Sequence, residues 1–137
     1  MLRVGPLRLD VLWPRPGLAP TGDPNDRAVV ARVSEGRFGL LLTADAESPI
    51  TLPLSPAPAD VLKVAHHGSA DPGLPLLLRR VHSALAVIEV GRHNPYGHPS
   101  PATLRALRAV PRVMRTDRDG TIRLTVAGGR MTVARHT

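Results

Sequence analysis

Asp60 to Ser69 reads Asp-Val-Leu-Lys-Val-Ala-His-His-Gly-Ser, an apolar run that stops at two adjacent imidazoles, a glycine and a serine. Imidazole is a neutral nitrogen donor for metal ions and changes charge near neutral pH, so it suits both coordination and proton transfer. Two other apolar runs end in comparable groups. Leu40 to Glu47 (Leu-Leu-Leu-Thr-Ala-Asp-Ala-Glu) ends in carboxylates, and Gly91 to Pro99 (Gly-Arg-His-Asn-Pro-Tyr-Gly-His-Pro) is a turn-rich polar loop. The chemistry on offer is nitrogen and oxygen coordination of a cation, with acid–base help beside it.

Each cluster also has a plain structural explanation. A lone histidine is more often a hydrogen-bonded core or surface residue than a ligand, but a pair after an apolar run, followed by Gly-Ser, points to a site. Adjacent strand residues face opposite sides, so one of His66 and His67 is expected as a ligand and the other near substrate. Asp45 follows an apolar run and needs a cation or hydrogen bonds if buried; alone it reads as a helix cap, beside the histidines as a ligand. Glu47 is expected to face solvent. In the 94–98 loop, Asn94 and Tyr96 are placed to orient a substrate and His98 to ligate or protonate, unless the loop only leads into a helix. Asp117-Arg118-Asp119-Gly120 reads as a tight hairpin turn with no chemistry. His93, His82 and His136 are given no role.

The elements that must hold these groups follow from periodicity. Leu7 to Trp13 alternates as a half-buried strand. Residues 14–26 are a proline- and glycine-rich loop. Ala28 to Val33 and Phe38 to Thr43 flank Ser34-Glu35-Gly36-Arg37 as a hairpin. Val61 to Ala65 and Ala84 to Val90 are short buried strands. Leu74 to His82 is a helix, with Leu74, Leu77, Leu78 and Val81 on one face. Ser100 to Val110 is a second, with Ser100 as N-cap and Pro101 at its first position. Val113 to Arg115, Thr121 to Val126 and Met131 to Ala134 complete the strands, and the tail from about 128 is expected to be loose. Alternating strands and helices give an α/β class with a mixed sheet and two or three helices, in one domain spanning 1–137. Ligands in such folds gather where the strands end, which is where the three clusters fall.

Composition sets outer bounds. The chain has 137 residues and only three aromatics, Trp13, Phe38 and Tyr96, so its core must be Leu, Val, Ile and Ala. Without cysteine, any metal must use imidazole and carboxylate, which suits zinc or manganese. No apolar run approaches the roughly 18–20 residues of a membrane span, and the N-terminus is not expected to be a signal peptide. The formal charge is +7, and Lys63 is the only lysine; the rest of the basic surplus is arginine. Guanidinium favours phosphate, yet the arginines are scattered, and biased composition explains them equally well.

Taken in order, Thr43-Ala-Asp-Ala-Glu47, Asp60-Val-Leu-Lys-Val-Ala-His-His-Gly-Ser69, Val90-Gly-Arg-His-Asn-Pro-Tyr-Gly-His-Pro99 and Arg115-Thr-Asp-Arg-Asp-Gly120 resemble the C-terminal metallo-β-lactamase-like domain of the ComEC competence DNA-uptake family. The resemblance runs from about Val11 to Val126. It implies half of an αββα sandwich and a metal-dependent phosphodiesterase or nuclease acting on DNA or another phosphodiester. It places metal on Asp45 and His66 (or His67), acid–base work on His67 and His98, and substrate contacts on Ser69, Asn94 and Tyr96. The family's Asn-containing segment falls on Asp23-Pro-Asn-Asp26. Two departures stand out. The family's His-x-His-x-Asp-His motif does not occur, and Ala44 stands where the family has glycine. The resemblance therefore implies a half-site with little activity alone. Its partners would be a missing N-terminal half or a membrane channel protein, on the extracytoplasmic face. A non-catalytic nucleic-acid-binding module using Arg79, Arg92, Arg105 and Arg118, or a degenerate remnant, are the competing readings.

Overall fold

Apolar alternation on the strands and 3.6-residue spacing on the helices assemble one α/β layer structure in the computed structural model, which describes residues 1–17 and 22–136. The strands are β1 (Leu2–Val4), β2 (Leu7–Trp13), β3 (Val30–Glu35) and β4 (Phe38–Leu42). A single helical turn, α1 (Ser48–Thr51), leads to β5 (Val61–Lys63), α2 (Leu74–Val81), β6 (Leu85–Ile88), α3 (Pro101–Ala106) and β7 (Arg112–Arg115). A second single turn, α4 (Thr116–Asp119), precedes β8 (Thr121–Ala127) and β9 (Arg130–His136). The expected loop at 14–26 contains a short 3-10 turn at Pro24–Arg27, capped by the Asp23 carboxylate; its residues 18–21 lie outside the described residues.

Strands β1 to β7 form one mixed sheet in sequence order. The first four pair antiparallel, and β4 to β7 run parallel. Parallel strands need crossovers, and α2 and α3 supply two of them. Leu74, Leu77, Leu78 and Val81 of α2 are buried against the sheet, as their spacing predicts. His82 ends that helix in a left-handed conformation (φ 51°) and is its C-cap, not a site residue. The Ser100 hydroxyl accepts from the Thr103 amide, 3.1 Å away, as expected of an N-cap. The helix is shorter than the sequence predicts, because Leu107–Ala109 tightens into a 3-10 turn before Pro111.

One expectation fails at the C-terminal end. Asp117–Gly120 is not a hairpin turn. It is the helical turn α4, stapled by Asp119 accepting from the Arg115 amide (2.9 Å) and by a two-point Arg115–Asp117 ion pair. The chain leaves the main sheet there, and β8 pairs with β9 as a separate two-stranded sheet. An Asp-Gly pair ends a helical turn as readily as a hairpin, since Gly120 supplies the positive φ (67°) either way. The strand expected at Met131 to Ala134 is present and longer, and residues 130–136 pair with β8 along their whole length. Ile122, Leu124, Val126, Met131 and Val133 then pack onto Phe38, Val61, Leu85 and Met114, on the sheet face opposite the helices.

Candidate functional site

The parallel strands β4, β5 and β6 all end at one edge, and Asp45, His66–His67 and the 91–98 loop follow them there. The first surprise is local. His66 and His67 do not continue the strand: they adopt left-handed conformations (φ 47° and 54°) inside a 3-10 turn over Ala65–Gly68. Strand alternation therefore does not apply, and both imidazoles stand near the same edge, with ring centroids 6.3 Å apart.

Gly68 explains why the turn holds. Its φ is +84°, and a β-carbon there would meet Cβ of Pro99 at 2.7 Å. Its carbonyl accepts from the Ser100 amide at 2.8 Å. The His-His-Gly-Ser turn and the Gly-His-Pro turn are thus locked together, and His98 comes within 5.5 Å of His66, ring to ring. The His98–Pro99 peptide is cis.

Hydrogen bonds fix the imidazoles. His67 Nδ1 lies 2.7 Å from the Glu89 carbonyl oxygen. A carbonyl only accepts, so Nδ1 carries the proton and neutral His67 keeps a lone pair on Nε2. That Nε2 is 3.8 Å from Asp45 Oδ1. His66 Nδ1 lies 3.1 Å from Glu47 Oε1, which also accepts the Ser69 hydroxyl. Here too the carboxylate holds Nδ1–H and leaves Nε2 open, the arrangement that orients ligating histidines. Glu47 is therefore not a solvent-facing residue: its side chain is 28% exposed and braces two of the sequence-predicted site residues. Its place two residues after Asp45 is the signal that sequence reasoning passed over.

The Asp45 loop is held from below. Ala44 has φ 46°, and its carbonyl accepts from Lys63 Nζ and from the His66 amide, each at 3.0 Å. Burial pushes the Lys63 ammonium below its ordinary value, against the pull of Glu89 and Asp45 in the other direction. Lys63 is a further residue the sequence reading left without a role. Asp45, Lys63, His67 and Glu89 line one shallow depression with Ala31 and Leu42. His67, Asn94, Tyr96 and His98 line a second, smaller one. Within it Asn94 uses its amide on the loop itself, donating to the His98 carbonyl (2.7 Å) and accepting from the His98 amide (3.2 Å). Tyr96 is 80% exposed.

Among the described residues, no three histidine or carboxylate side chains stand together closely enough to hold an ion. The pieces present are the imidazoles of His66, His67 and His98 and the Asp45 carboxylate. Their types suit zinc or manganese; their spacing does not bring three of them onto one point.

The chain is similar to ComE operon protein 3 of Bacillus subtilis (strain 168). The two are 34% identical over 130 residues, 89% of this chain and 16% of that protein. Recombination protein 2 of Haemophilus influenzae is 34% identical over 85 residues, covering 61% of this chain and 11% of that protein. Uncharacterized protein YcaI of Escherichia coli (strain K12) is 31% identical over 99 residues, or 69% of this chain and 13% of that protein. The chain thus spans less than a fifth of the length of these relatives. No family model and no solved structure matches it. No helix among the described residues is long and apolar enough to cross a membrane.

Proposed function

We propose that this chain is the C-terminal half of a ComEC-like metal-dependent phosphodiesterase or nuclease that handles DNA during uptake, and that it does not turn over substrate alone. The observation that carries this reading is the pair of imidazoles at the ends of parallel strands, with Nδ1 of His66 held by the Glu47 carboxylate, Nδ1 of His67 by the Glu89 carbonyl, and His67 Nε2 3.8 Å from Asp45. The names ComE operon protein 3 and Recombination protein 2 support the DNA context. In the completed site, Asp45, His66 and His67 supply donors, His98 stands ready for proton transfer, and Ser69, Asn94 and Tyr96 shape the approach of the substrate. The extracytoplasmic face of a membrane, beside a channel protein, is the place this reading assigns to it.

The test is direct. Zinc and manganese binding by calorimetry, and cleavage of a generic phosphodiester, are expected to be weak or absent for this chain. Robust turnover by the chain alone would overturn the half-site. The formal charge of +7 favours a second reading, in which arginines grip DNA without hydrolysis. It predicts DNA affinity that falls steeply with salt and survives a chelator, so a salt titration with and without chelator separates the two.

A further inference from the structure

The arginines look scattered in sequence, but the charge is lopsided once the acids are placed beside them. Residues 1–71 carry seven basic and eight acidic side chains, whereas residues 72–137 carry eleven and three. The strands of the main sheet lie in sequence order, so the surplus falls on its β6–β7 end and on the elements that cover it. One side of the molecule is strongly positive and the other close to neutral.

The positive side carries a groove. One depression, about 550 Å³, is lined by Leu78, Arg79 and His82 at the end of α2 and by Ala106 and Ala109 opposite. A second, about 510 Å³, is lined by Arg108, Val113, Arg115 and Arg118 along β7 and α4. Both include Val110 and Pro111, so they meet and run as one groove along the free edge of the sheet. Arg79 and Arg108 are exposed and have no hydrogen bond or ion pair among the described residues. Asp119 is the one acid among the lining residues, and its carboxylate is taken up by the Arg115 amide and the Arg135 guanidinium. The groove also leads towards the candidate site. It ends at α4, where the Thr116 hydroxyl donates to the Val90 carbonyl and accepts from the Val90 amide, each at 2.8 Å. Val90 opens the 91–98 loop.

The chemistry of the lining selects the partner. Its guanidinium groups lie on separate elements, α2, the 3-10 turn Leu107–Ala109, β7 and α4, so they do not converge on a single anion. A polymer with a phosphate at every step meets them in turn. No aromatic side chain lines the groove, and a single strand is gripped largely by stacking its bases. The backbone of a duplex, whose bases are already stacked, fits better. An anionic bilayer fits less well. Among the exposed large apolar side chains, only Leu76 belongs to α2, α3, β7 or α4, and surface helices anchor through an apolar face. Strand addition at β7 is hindered too, because Asp119 occupies the Arg115 amide.

We propose that the groove along α2, β7 and α4 is a second nucleic-acid surface, separate from the Asp45 and histidine cluster, that holds the phosphate backbone of a double helix without reading its sequence. This surface gives the DNA-gripping reading above, on which it rests, a place and a preference for duplex, and it needs no metal.

The test is fluorescence anisotropy of a labelled duplex of about 20 base pairs, titrated with the whole chain in chelator over a range of salt. Affinity is expected to fall steeply with salt and to agree within about twofold between unrelated sequences. It is expected to exceed the affinity for either single strand about fivefold or more. Arg79→Glu with Arg108→Glu is expected to weaken binding about tenfold or more and to lower the log–log salt slope by about two. The milder Arg79→Gln with Arg108→Gln is expected to keep the parent's melting temperature and to weaken binding about threefold or more. Arg3→Glu with Arg37→Glu makes the same charge change on β1 and the β3–β4 turn, and is expected to cost less than about threefold. His66→Ala with His98→Ala is expected to leave duplex affinity unchanged. Equal losses from the two glutamate pairs would overturn the groove and leave DNA binding by net charge standing. Absence of salt-dependent duplex binding would overturn the groove and the DNA-gripping reading together. Tighter binding to single strands, or to vesicles containing phosphatidylserine, would give the face another partner and overturn this one. Loss of affinity in the histidine variant, at an unchanged melting temperature, would move the contact into the site.

Discussion

The parallel half of the sheet, β4 to β7, and the antiparallel half, β1 to β3, share one set of backbone hydrogen bonds but live in different surroundings. The parallel half is covered on both faces, and Leu41, Val61, Leu62, Ala86 and Ile88 have essentially no exposed surface. Its strands end in the candidate site. The antiparallel half is buried on the helix side at Trp13 and Val30, while Leu2, Val4 and Val11 stand largely in water. Parallel strands are found with both faces covered because their crossovers put helices on them; antiparallel hairpins carry no such guarantee. The candidate site stands at the end of the half that is covered on both faces, and the bare apolar surface belongs to the other half.

The largest effect expected from this contrast is a matched pair of truncations. Leu62→Ala, at a site with no exposed surface, is expected to cost about 2–5 kcal/mol, whereas Leu7→Ala, 37% exposed, is expected to cost under about 1 kcal/mol. Urea denaturation of the two variants measures it, and equal costs would erase the distinction between the halves. Gly68→Ala comes next. The new β-carbon meets Pro99 and must adopt φ +84°, so a loss of about 3 kcal/mol is expected. The His66–His98 approach should loosen with it, which histidine ring NMR shifts will report. A variant as stable as the parent, with unmoved shifts, would mean the two turns are not locked through this glycine.

Much of this was legible beforehand, and the misses share a cause. Apolar periodicity located β2, α2, β6 and the capped start of α3, because burial of one face dictates those patterns whatever surrounds them. It failed where short segments choose between turns of similar composition. Asp117–Gly120 satisfies hairpin chemistry, and only the tertiary pull of Ile122 and Leu124 towards the far face of the sheet decides against it. The His66–His67 turn shows the same limit: a run that looks like a strand is bent into left-handed backbone by contacts with Pro99 and Ala44, distant in sequence. Of the site, Asp45, His66, His67, Ser69 and His98 could be picked out as chemically competent types. Lys63 could not, because its role consists of partners that only folding brings near.

Ala44 offers a smaller effect of opposite sign. It stands in left-handed backbone (φ 46°), where a β-carbon is crowded and glycine is not. Ala44→Gly is expected to stabilise the chain by about 1 kcal/mol, read as a higher melting temperature, with the Lys63–Ala44 hydrogen bond preserved. Destabilisation would show that the alanine methyl makes packing contacts worth more than the backbone strain.

The smallest effect concerns the join between the two layers. The Arg115 guanidinium grips Asp117 and holds its carboxyl below the usual carboxylate range, and Asp119 is lowered by the Arg115 amide that donates to it. In the denatured chain both titrate near about 3.9. Between the folded and unfolded values the denatured state binds protons that the folded state does not, so stability rises with pH across that window. The contribution is fully present above about pH 5 and is lost as pH falls through the folded values. Asp117→Asn removes one of the two titrations, and its melting temperature is expected to fall less steeply than the parent's as pH drops below about 5. Because α4 is where the chain passes from the parallel half to the covering layer, acid should first release β8–β9 and expose Phe38 and Met114. Hydrogen exchange at low pH that loosened β1 and β2 before β8 and β9 would place the weak join elsewhere.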